Sequence, residues 1–321
     1  MRTRTIGSQD AARQVSAICL GALPFGTTVG EEESFAILDR FVAAGGNFID
    51  TANNYAFWTP GGRGGESEAL LGRWLAARGR PEVVLATKLG AQPTVPGTGL
   101  ETAEGLGADT VRAAARASLE RLGVERIDLL YTHIEDRSVP MEETMGALAD
   151  LVDEGAVGLL GASNHATWRL EHARALAAAS GRPGYDVLQY RYSYLQPRYD
   201  VPFPEAGHTH ASSELLDFAQ VHGLPVLAYS ALLSGAYTRP EKPLSPPYDH
   251  PGTPARLAAL DEVAKEAGAT RNQVVIAWLL GHDPQVLPLV GASSVAQLDE
   301  VLDAVDLELT ADQRARLDAA R

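Results

Sequence analysis

The chain has 321 residues, 45% of them hydrophobic and 21% charged, which is the composition of an ordinary globular protein. Its formal net charge of −14 argues against nonspecific binding to nucleic acids and to anionic membrane surfaces. The one cysteine, Cys19, excludes an internal disulfide, and no segment resembles a signal peptide or a membrane span, so we expect a cytoplasmic protein.

Strand-like and helix-like segments alternate along the chain. The predicted strands are the apolar runs at residues 17–20, 48–50, 83–88, 128–133, 157–161, 187–192, 225–230 and 286–291. Their nearly continuous apolar character is typical of parallel strands that are buried on both faces. The predicted helices are residues 33–44, 67–78, 109–122, 142–154, 167–179, 212–221, 254–267, 270–280, 295–304 and 311–320, and Asp109 is a plausible N-cap of the third.

This alternation predicts an α/β fold that consists of a single (β/α)8 TIM barrel over residues 1–321. Residues 4–6 and 15–18 could form an N-terminal hairpin that closes the barrel bottom, and two helices are extra to the eight βα units. The stretches 90–107, 194–211 and 232–254 are too long to be mere connections. Each follows a predicted strand, so we expect these loops to shape a binding pocket.

Four polar residues lie at the ends of strand-like runs: Asp50, Tyr55, Lys88 and His133. In a parallel barrel the carboxyl ends of the strands gather around one pocket, so these side chains are predicted to meet. A nearby lysine ammonium would lower the pKa of the tyrosine, an aspartate would keep the lysine charged, and a histidine could bond the same substrate oxygen. Such a group could protonate a carbonyl during its reduction.

A purely structural interpretation of the same four residues is equally open at this point. Asp50 and Lys88 could form a structural ion pair, with Tyr55 and His133 as ordinary residues of the barrel rim. The four residues alone favour neither interpretation.

Six short motifs follow one another along the chain. Residues 50–55 are Asp-Thr-Ala-Asn-Asn-Tyr, residues 161–164 are Gly-Ala-Ser-Asn and residues 227–232 are Leu-Ala-Tyr-Ser-Ala-Leu. The others are the lysine strand 85–88, the histidine strand 126–136 and residues 291–300, which begin Gly-Ala-Ser-Ser. In this order and spacing they resemble the aldo-keto reductase family, and its bacterial and potassium-channel-beta-like branch more than its aldose reductase branch.

The resemblance implies a (β/α)8 barrel that uses NADPH (NADP+) rather than NADH and reduces a small-molecule carbonyl compound. Tyr55 would be the general acid, Lys88 and Asp50 would tune it, and His133 would orient the carbonyl. Alternative activities on the same scaffold are reduction of an imine or an enone. A third alternative is a slow-turnover, redox-sensing regulatory subunit.

The resemblance also implies a set of cofactor-binding residues. The nicotinamide carboxamide would be held by Ser163, Asn164 and Gln189, and Tyr229 would stack on the ring. The rest of the cofactor would lie against Ala22, Leu23, Asp50, Ser230, Leu232, Ser234, Gly235, Gly291, Ser293, Ser294, Gln297 and Glu300.

The chain departs from the family where the 2′-phosphate of NADPH is expected. No Lys or Arg occurs between Asp283 and Asp312, and Arg239 is the best substitute for the missing basic residue. The backbone amides at the start of the helix 295–304 suit a phosphate group.

Three aromatic residues are expected to form a substrate wall: Phe25, Phe57 and Trp58. Such a wall favours a sizeable, partly aromatic carbonyl compound, although Phe57 and Trp58 could instead pack under the first loop. His208 and His210 lie two residues apart in a long loop, which is more typical of a solvated loop than of a metal site. The resemblance implies no metal, and we expect none.

Overall fold

A closed barrel of eight parallel strands forms the centre of the structure, a computed structural model that describes residues 1–7, 11–79 and 81–321. The barrel strands are β3 (Cys19–Gly21), β4 (Phe48–Asp50), β5 (Val84–Leu89), β6 (Ile127–Thr132), β7 (Val157–Ser163), β8 (Tyr185–Arg191), β9 (Val226–Tyr229) and β10 (Val286–Gly291). They pair in chain order, and β10 closes the barrel by pairing with β3. The predicted barrel is therefore confirmed.

Ten α-helices are described, and they follow the strands in the expected alternation. They are α1 (Glu31–Ala43), α2 (Glu66–Ala77), α3 (Ala108–Leu122), α4 (Met141–Asp153), α5 (Thr167–Ser180), α6 (Ser213–His222), α7 (Gly252–Ala267), α8 (Arg271–Leu280), α9 (Val295–Ala304) and α10 (Ala311–Ala319). Two helices, α7 and α8, lie between the last two strands, and α10 follows α9, so the chain has the two extra helices that were predicted. No helix among the described residues is both long and apolar enough to cross a membrane.

The N-terminal hairpin closes one end of the barrel. Its strands, β1 (Thr3–Ile6) and β2 (Arg13–Ser16), pair antiparallel outside the barrel sheet. Ile6 and Val15 are fully buried and join one apolar cluster with Cys19, Phe48, Leu129, Tyr131, Val187, Leu227 and Leu287. These barrel residues come from the strands, so the hairpin fills the barrel interior from below. The opposite end, where the strands finish, is left for the polar side chains.

A close approach inside the barrel requires one glycine. A Cβ on Gly161 of β7 would collide with the ring of Tyr131 on the neighbouring strand β6. Any larger residue would push this ring out of the packed interior. Gly161 of the Gly-Ala-Ser-Asn motif is therefore required by the packing of β7 against Tyr131, in addition to any role in the site.

Two local predictions differ from the structure. The N-cap of α3 is Gly107 rather than Asp109, and it makes no side-chain capping bond. The backbone N–H of Ala108 donates instead to Glu143 Oε1 at 2.9 Å, so a neighbouring helix supplies the acceptor. His133 lies one residue beyond the end of β6, although its N–H still donates to the carbonyl of Leu89 at 2.9 Å.

Candidate active site

The four predicted polar residues meet at the carboxyl ends of the strands. Lys88 Nζ donates to Asp50 Oδ2 at 2.5 Å, to the carbonyl of Thr51 at 2.7 Å and to the hydroxyl of Tyr55 at 3.0 Å. Lys88 and Asp50 are fully buried, and Tyr55 is 9% exposed. The ring centroids of Tyr55 and His133 lie 5.8 Å apart in an edge-to-face arrangement. The structure therefore brings all four side chains into one site.

Burial and the charged partners act in opposite directions on the protonation of this group. Burial raises the pKa of the Tyr55 hydroxyl, and the Lys88 ammonium lowers it by less, so the net direction is upward. The predicted lowering by Lys88 is therefore present, but burial outweighs it, and Tyr55 keeps its proton at neutral pH. For Lys88, burial lowers the pKa, but the Asp50 carboxylate and the hydrogen bonds to Asp50 and Tyr55 outweigh burial, so the net direction is upward and the ammonium stays charged.

Asp50 and His133 complete the electrostatic picture. Burial raises the pKa of the Asp50 carboxyl, and Lys88 offsets part of this rise. The pKa of His133 falls well below its usual value, first because of burial and then because of the nearby Lys88 ammonium. His133 is therefore neutral, and its buried Nδ1 makes no hydrogen bond to any described residue. A neutral imidazole can donate one hydrogen bond to a substrate oxygen.

The residues expected around the nicotinamide carboxamide are already engaged. Gln189 Nε2 donates to Asp50 Oδ1 at 3.0 Å, so Gln189 binds the Asp50 oxygen that does not contact Lys88. Asn164 Nδ2 donates to the carbonyl of His133 at 3.0 Å and to Ser163 Oγ at 2.9 Å. Asn164 Oδ1 accepts from the hydroxyl of Tyr229 at 2.8 Å. A carboxamide would have to replace or share one of these bonds.

The segment expected at the pyrophosphate has an unusual backbone. Ser230, Leu233 and Ser234 have φ values of 54°, 48° and 56°, and Gly235 has a φ of 92°. Left-handed conformations are costly for residues with a Cβ and concentrate at functional sites. Two amides of the segment are used within the turn, since Leu233 N–H donates to the carbonyl of Ser230 at 3.0 Å and Gly235 N–H to that of Leu232 at 2.9 Å. The side chain of Arg239 lies over Gly235, and its positive charge suits a phosphate group.

The loop expected at the adenosine end carries a carboxylate where a phosphate was predicted. The N–H of Val295, the first residue of α9, donates to Glu33 Oε1 of α1 at 3.1 Å. Ser293 N–H donates to Gln297 Oε1 at 2.9 Å. Glu300 accepts from Thr270 Oγ1 at 2.7 Å and so faces α8. The helix start is thus partly occupied by the protein's own groups, and Glu33 was not identified from the sequence.

Of the remaining cofactor residues, Ala22 and Leu23 follow β3 directly. Ala22 is fully buried and its N–H donates to the carbonyl of Asp50 at 2.8 Å, whereas Leu23 is 42% exposed. Leu232 is half-buried, and Ser294 caps α9 by accepting from Gln297 N–H at 3.3 Å. Gly291 is the exposed last residue of β10.

The proposed substrate wall is present only in part. Trp58 is 50% exposed, and its ring lies 6.0 Å from that of Tyr55 and 5.1 Å from that of Phe57, both edge-to-face. Phe25, in contrast, is fully buried in the core between barrel and helices. Phe25 therefore cannot contact a substrate in this structure, while Trp58 packs on Tyr55 and Phe57 packs on Trp58.

Sequence reasoning missed the residues that cover Tyr229. His208 packs edge-to-face on the Tyr229 ring at 5.3 Å, and Arg191 donates to His208 Nδ1 at 3.2 Å. Thr209 N–H donates to Asn164 Oδ1 at 2.9 Å. Only the unusual length of the loop 194–211 indicated a role in the sequence. Among the described residues, no three His, Cys, Asp or Glu side chains form a group that could hold a metal ion.

This geometry defines a class of protein: a closed parallel barrel with a buried lysine that donates a hydrogen bond to a tyrosine at the strand ends. A model of the aldo/keto reductase family matches residues 17–321. Norsolorinic acid reductase B of Aspergillus parasiticus is 33% identical over 334 residues, covering 94% of this chain and 80% of that protein.

Two further relatives come from other organisms. An uncharacterized oxidoreductase, YrpG, of Bacillus subtilis is 32% identical, covering 92% of this chain and 89% of that protein. Aryl-alcohol dehydrogenase GME11368 of Pestalotiopsis microspora is 30% identical, covering 94% of this chain and 78% of that protein. The chain belongs to the aldo/keto reductase family, and the resemblance carried by its six motifs is confirmed. It is an oxidoreductase that reduces carbonyl compounds, and members of its family use nicotinamide cofactors, generally NADPH.

The buried histidines predict acid sensitivity. Burial lowers the pKa of His165 and of His210 to about 4, and that of His133 well below 6.5. Below about pH 6.5 the unfolded chain binds protons at these rings and the folded chain does not, so acid lowers the free energy of unfolding. The loss should reach about 1.4 kcal/mol per pH unit for each ring. Urea unfolding between about pH 7 and pH 5 measures this slope.

The variant His165→Gln provides the control for this slope. Its free energy of unfolding should depend less steeply on pH, by the contribution of one histidine ring, because an amide does not titrate in this range. An unchanged slope in this variant would mean that His165 is protonated equally in the folded and unfolded states.

Proposed function

We propose that this protein is an NADPH-dependent reductase that converts a sizeable, partly aromatic aldehyde or ketone to an alcohol, with Tyr55 as the proton donor. The observation that carries the proposal is the hydrogen bond of 3.0 Å between the Lys88 ammonium and the Tyr55 hydroxyl in a buried site. The whole chain, residues 1–321, would act as one domain. We place it in a reducing cytoplasm because its single cysteine, Cys19, is buried and has no partner within the chain.

The catalytic residues would act on the carbonyl oxygen of the substrate. A nicotinamide cofactor, when bound, would supply a hydride to the carbonyl carbon. Tyr55, which burial keeps protonated, donates its proton to the oxygen as negative charge develops there. The resulting phenolate faces the Lys88 ammonium, which Asp50 holds in place. His133, neutral and adjacent to Tyr55, can donate a second hydrogen bond that orients the same oxygen.

Removing the Tyr55 hydroxyl tests this assignment. The variant Tyr55→Phe keeps the ring and loses the acid, so kcat should fall by about 10²–10⁴-fold with cofactor affinity nearly unchanged. Loss of NADPH absorbance with an aromatic aldehyde measures kcat, and fluorescence titration measures the Kd. Turnover close to that of the unaltered protein would remove Tyr55 from the mechanism. Tight cofactor binding with negligible turnover by the unaltered protein would instead support a redox sensor.

The cofactor preference is a second part of the proposal. Arg239 beside the left-handed segment and the serines before α9 favour NADPH over NADH. Glu33 opposes this preference, because its carboxylate lies at the first amide of α9 and would repel a 2′-phosphate. Carboxylates in dinucleotide sites accept a hydrogen bond from a free ribose 2′-hydroxyl. We therefore expect NADPH to bind more tightly than NADH by a modest factor.

Neutralising Glu33 should strengthen the preference for NADPH. In Glu33→Gln the Kd for NADPH should decrease by about tenfold, because one like-charge repulsion is removed, while the Kd for NADH changes little. Glu32→Gln is the matched control, since Glu32 has the same charge one residue away and makes no ion pair with any described residue. Fluorescence titration of both cofactors decides the matter. Equal effects of the two substitutions would mean that Glu33 acts only through net charge.

The aromatic wall predicts the substrate class. Trp58→Ala should raise KM for aromatic aldehydes by an amount equivalent to about 1–3 kcal/mol, because it removes one aromatic contact beside Tyr55. NADPH binding and KM for a short aliphatic aldehyde should change little. An unchanged KM for aromatic aldehydes would contradict the wall and direct the search to the later loops.

A further inference from the structure

A cavity of about 620 Å³ lies under the loop that follows β8. Residues 197–210 form one side, and the first turns of α5 and α6 form the other. None of the four catalytic side chains lines it. His208 lies between the cavity and the proposed nicotinamide site, since it lines the cavity and its ring packs on that of Tyr229. The volume is within the range of about 300–1,000 Å³ that small-molecule sites occupy.

Two large aromatic side chains are exposed on this cavity. Trp168 of α5 is 61% exposed and Tyr199 of the loop is 68% exposed, and both line the cavity together with Phe203. They belong to separate elements, so the fold brings their rings to one place. Aromatic faces that converge on a concave surface are typical of sites for planar rings.

A buried polar side chain also lines the cavity. His210 is 7% exposed, and neither of its ring nitrogens makes a hydrogen bond of normal geometry. The rings of Tyr192 and Tyr199 lie 5.6 and 5.8 Å from it. Burial lowers the pKa of His210 to about 4, and the Ala211 backbone offsets only part of this. The neutral ring has one donor and one acceptor, which a hydroxyl group can satisfy.

The charges around the cavity favour a neutral ligand. Glu205 and Glu214 line it, and their carboxylates disfavour an anion. Two arginines near the cavity already form ion pairs. The distance from Arg191 Nη2 to Glu205 Oε2 is 3.0 Å, and that from Arg198 Nη2 to Asp200 Oδ2 is 2.5 Å. An anionic ligand would therefore have to break one of these pairs.

We propose that this cavity binds a neutral, planar aromatic molecule that carries a hydroxyl group, with its ring against Trp168 and Tyr199 and its hydroxyl on His210. The site is distinct from the catalytic pocket and goes beyond the proposed function. Because Thr209 of the same loop donates to Asn164, a molecule bound here also holds the loop against a residue of the proposed cofactor site.

Calorimetric titration of the full chain with 2-naphthol, without cofactor, tests the proposal. We expect saturable binding of one molecule per chain, weakened at least about tenfold by His210→Phe, which removes the nitrogens, and by Trp168→Ala, which removes the wall. Val221→Ala is the control, because it shortens an exposed apolar side chain of α6 that does not line the cavity, and its Kd should agree with that of the unaltered protein. Trp58→Ala, at the proposed substrate wall, reports any binding of 2-naphthol beside Tyr55 instead. Naphthalene-2-carboxylate, of similar shape but anionic, should bind at least about tenfold more weakly than 2-naphthol.

Three results would overturn the proposal. They are the absence of saturable binding, a Kd that neither His210→Phe nor Trp168→Ala changes, and binding that only Trp58→Ala weakens, which would place 2-naphthol in the catalytic pocket. If His210→Phe fails to fold, the exposed position of Trp168 makes Trp168→Ala the deciding variant. The titration contains neither cofactor nor carbonyl substrate, so its failure would leave the proposed reductase activity intact.

Discussion

The buried ammonium of Lys88 is the interaction on which the site depends. A lone charge in a fully buried position would be strongly unfavourable, so the surrounding structure must supply its partners. Asp50, the carbonyl of Thr51 and Tyr55 supply three acceptors within 3.0 Å, and Gln189 in turn bonds the second oxygen of Asp50. The position of the reactive hydroxyl is thereby coupled to the stability of the barrel, because any shift of Tyr55 exposes the charge to a poorer environment.

The two ends of the barrel interior differ in composition: the lower end is apolar, and the upper end carries the polar residues of the candidate site. The hairpin and the apolar inward-facing residues fill the lower end, and the ion pair of Lys88 and Asp50 lies at the upper end. The upper rim carries the backbone strain: Asn164, Ser230, Leu233 and Ser234 are the non-glycine residues with positive φ among those described. Asn164 also connects the rim, since its side chain bonds the His133 carbonyl, the Tyr229 hydroxyl and the Thr209 amide. The end of β6, the strand β9 and the loop 194–211 are therefore all hydrogen-bonded to Asn164.

Local patterns predicted most of the fold, and the errors have physical causes. The eight apolar runs identified the barrel because strands buried on both faces leave a clear signal. Asp109 was expected to cap α3, but Glu143 on α4 takes that place across the helix interface. Phe25 was assigned to a substrate wall because it follows the first predicted barrel strand closely, yet its side chain is fully buried in the core. The motifs predicted that Lys88 lowers the pKa of Tyr55, but not that burial raises it by more, because desolvation depends on complete burial and cannot be read from adjacent residues.

The amino-acid sequence by itself determined the element order, the barrel class and which four polar residues meet at the strand ends, because these follow from periodicity and from motifs of adjacent residues. Only the tertiary structure decided what contacts what across the barrel mouth. Glu33 meets Val295 across 262 positions, and Gln189 meets Asp50 across 139. The cavity around His210 likewise exists only because a loop and two helix starts converge. Such contacts depend on the relative placement of distant elements, for which a sequence carries no local signal.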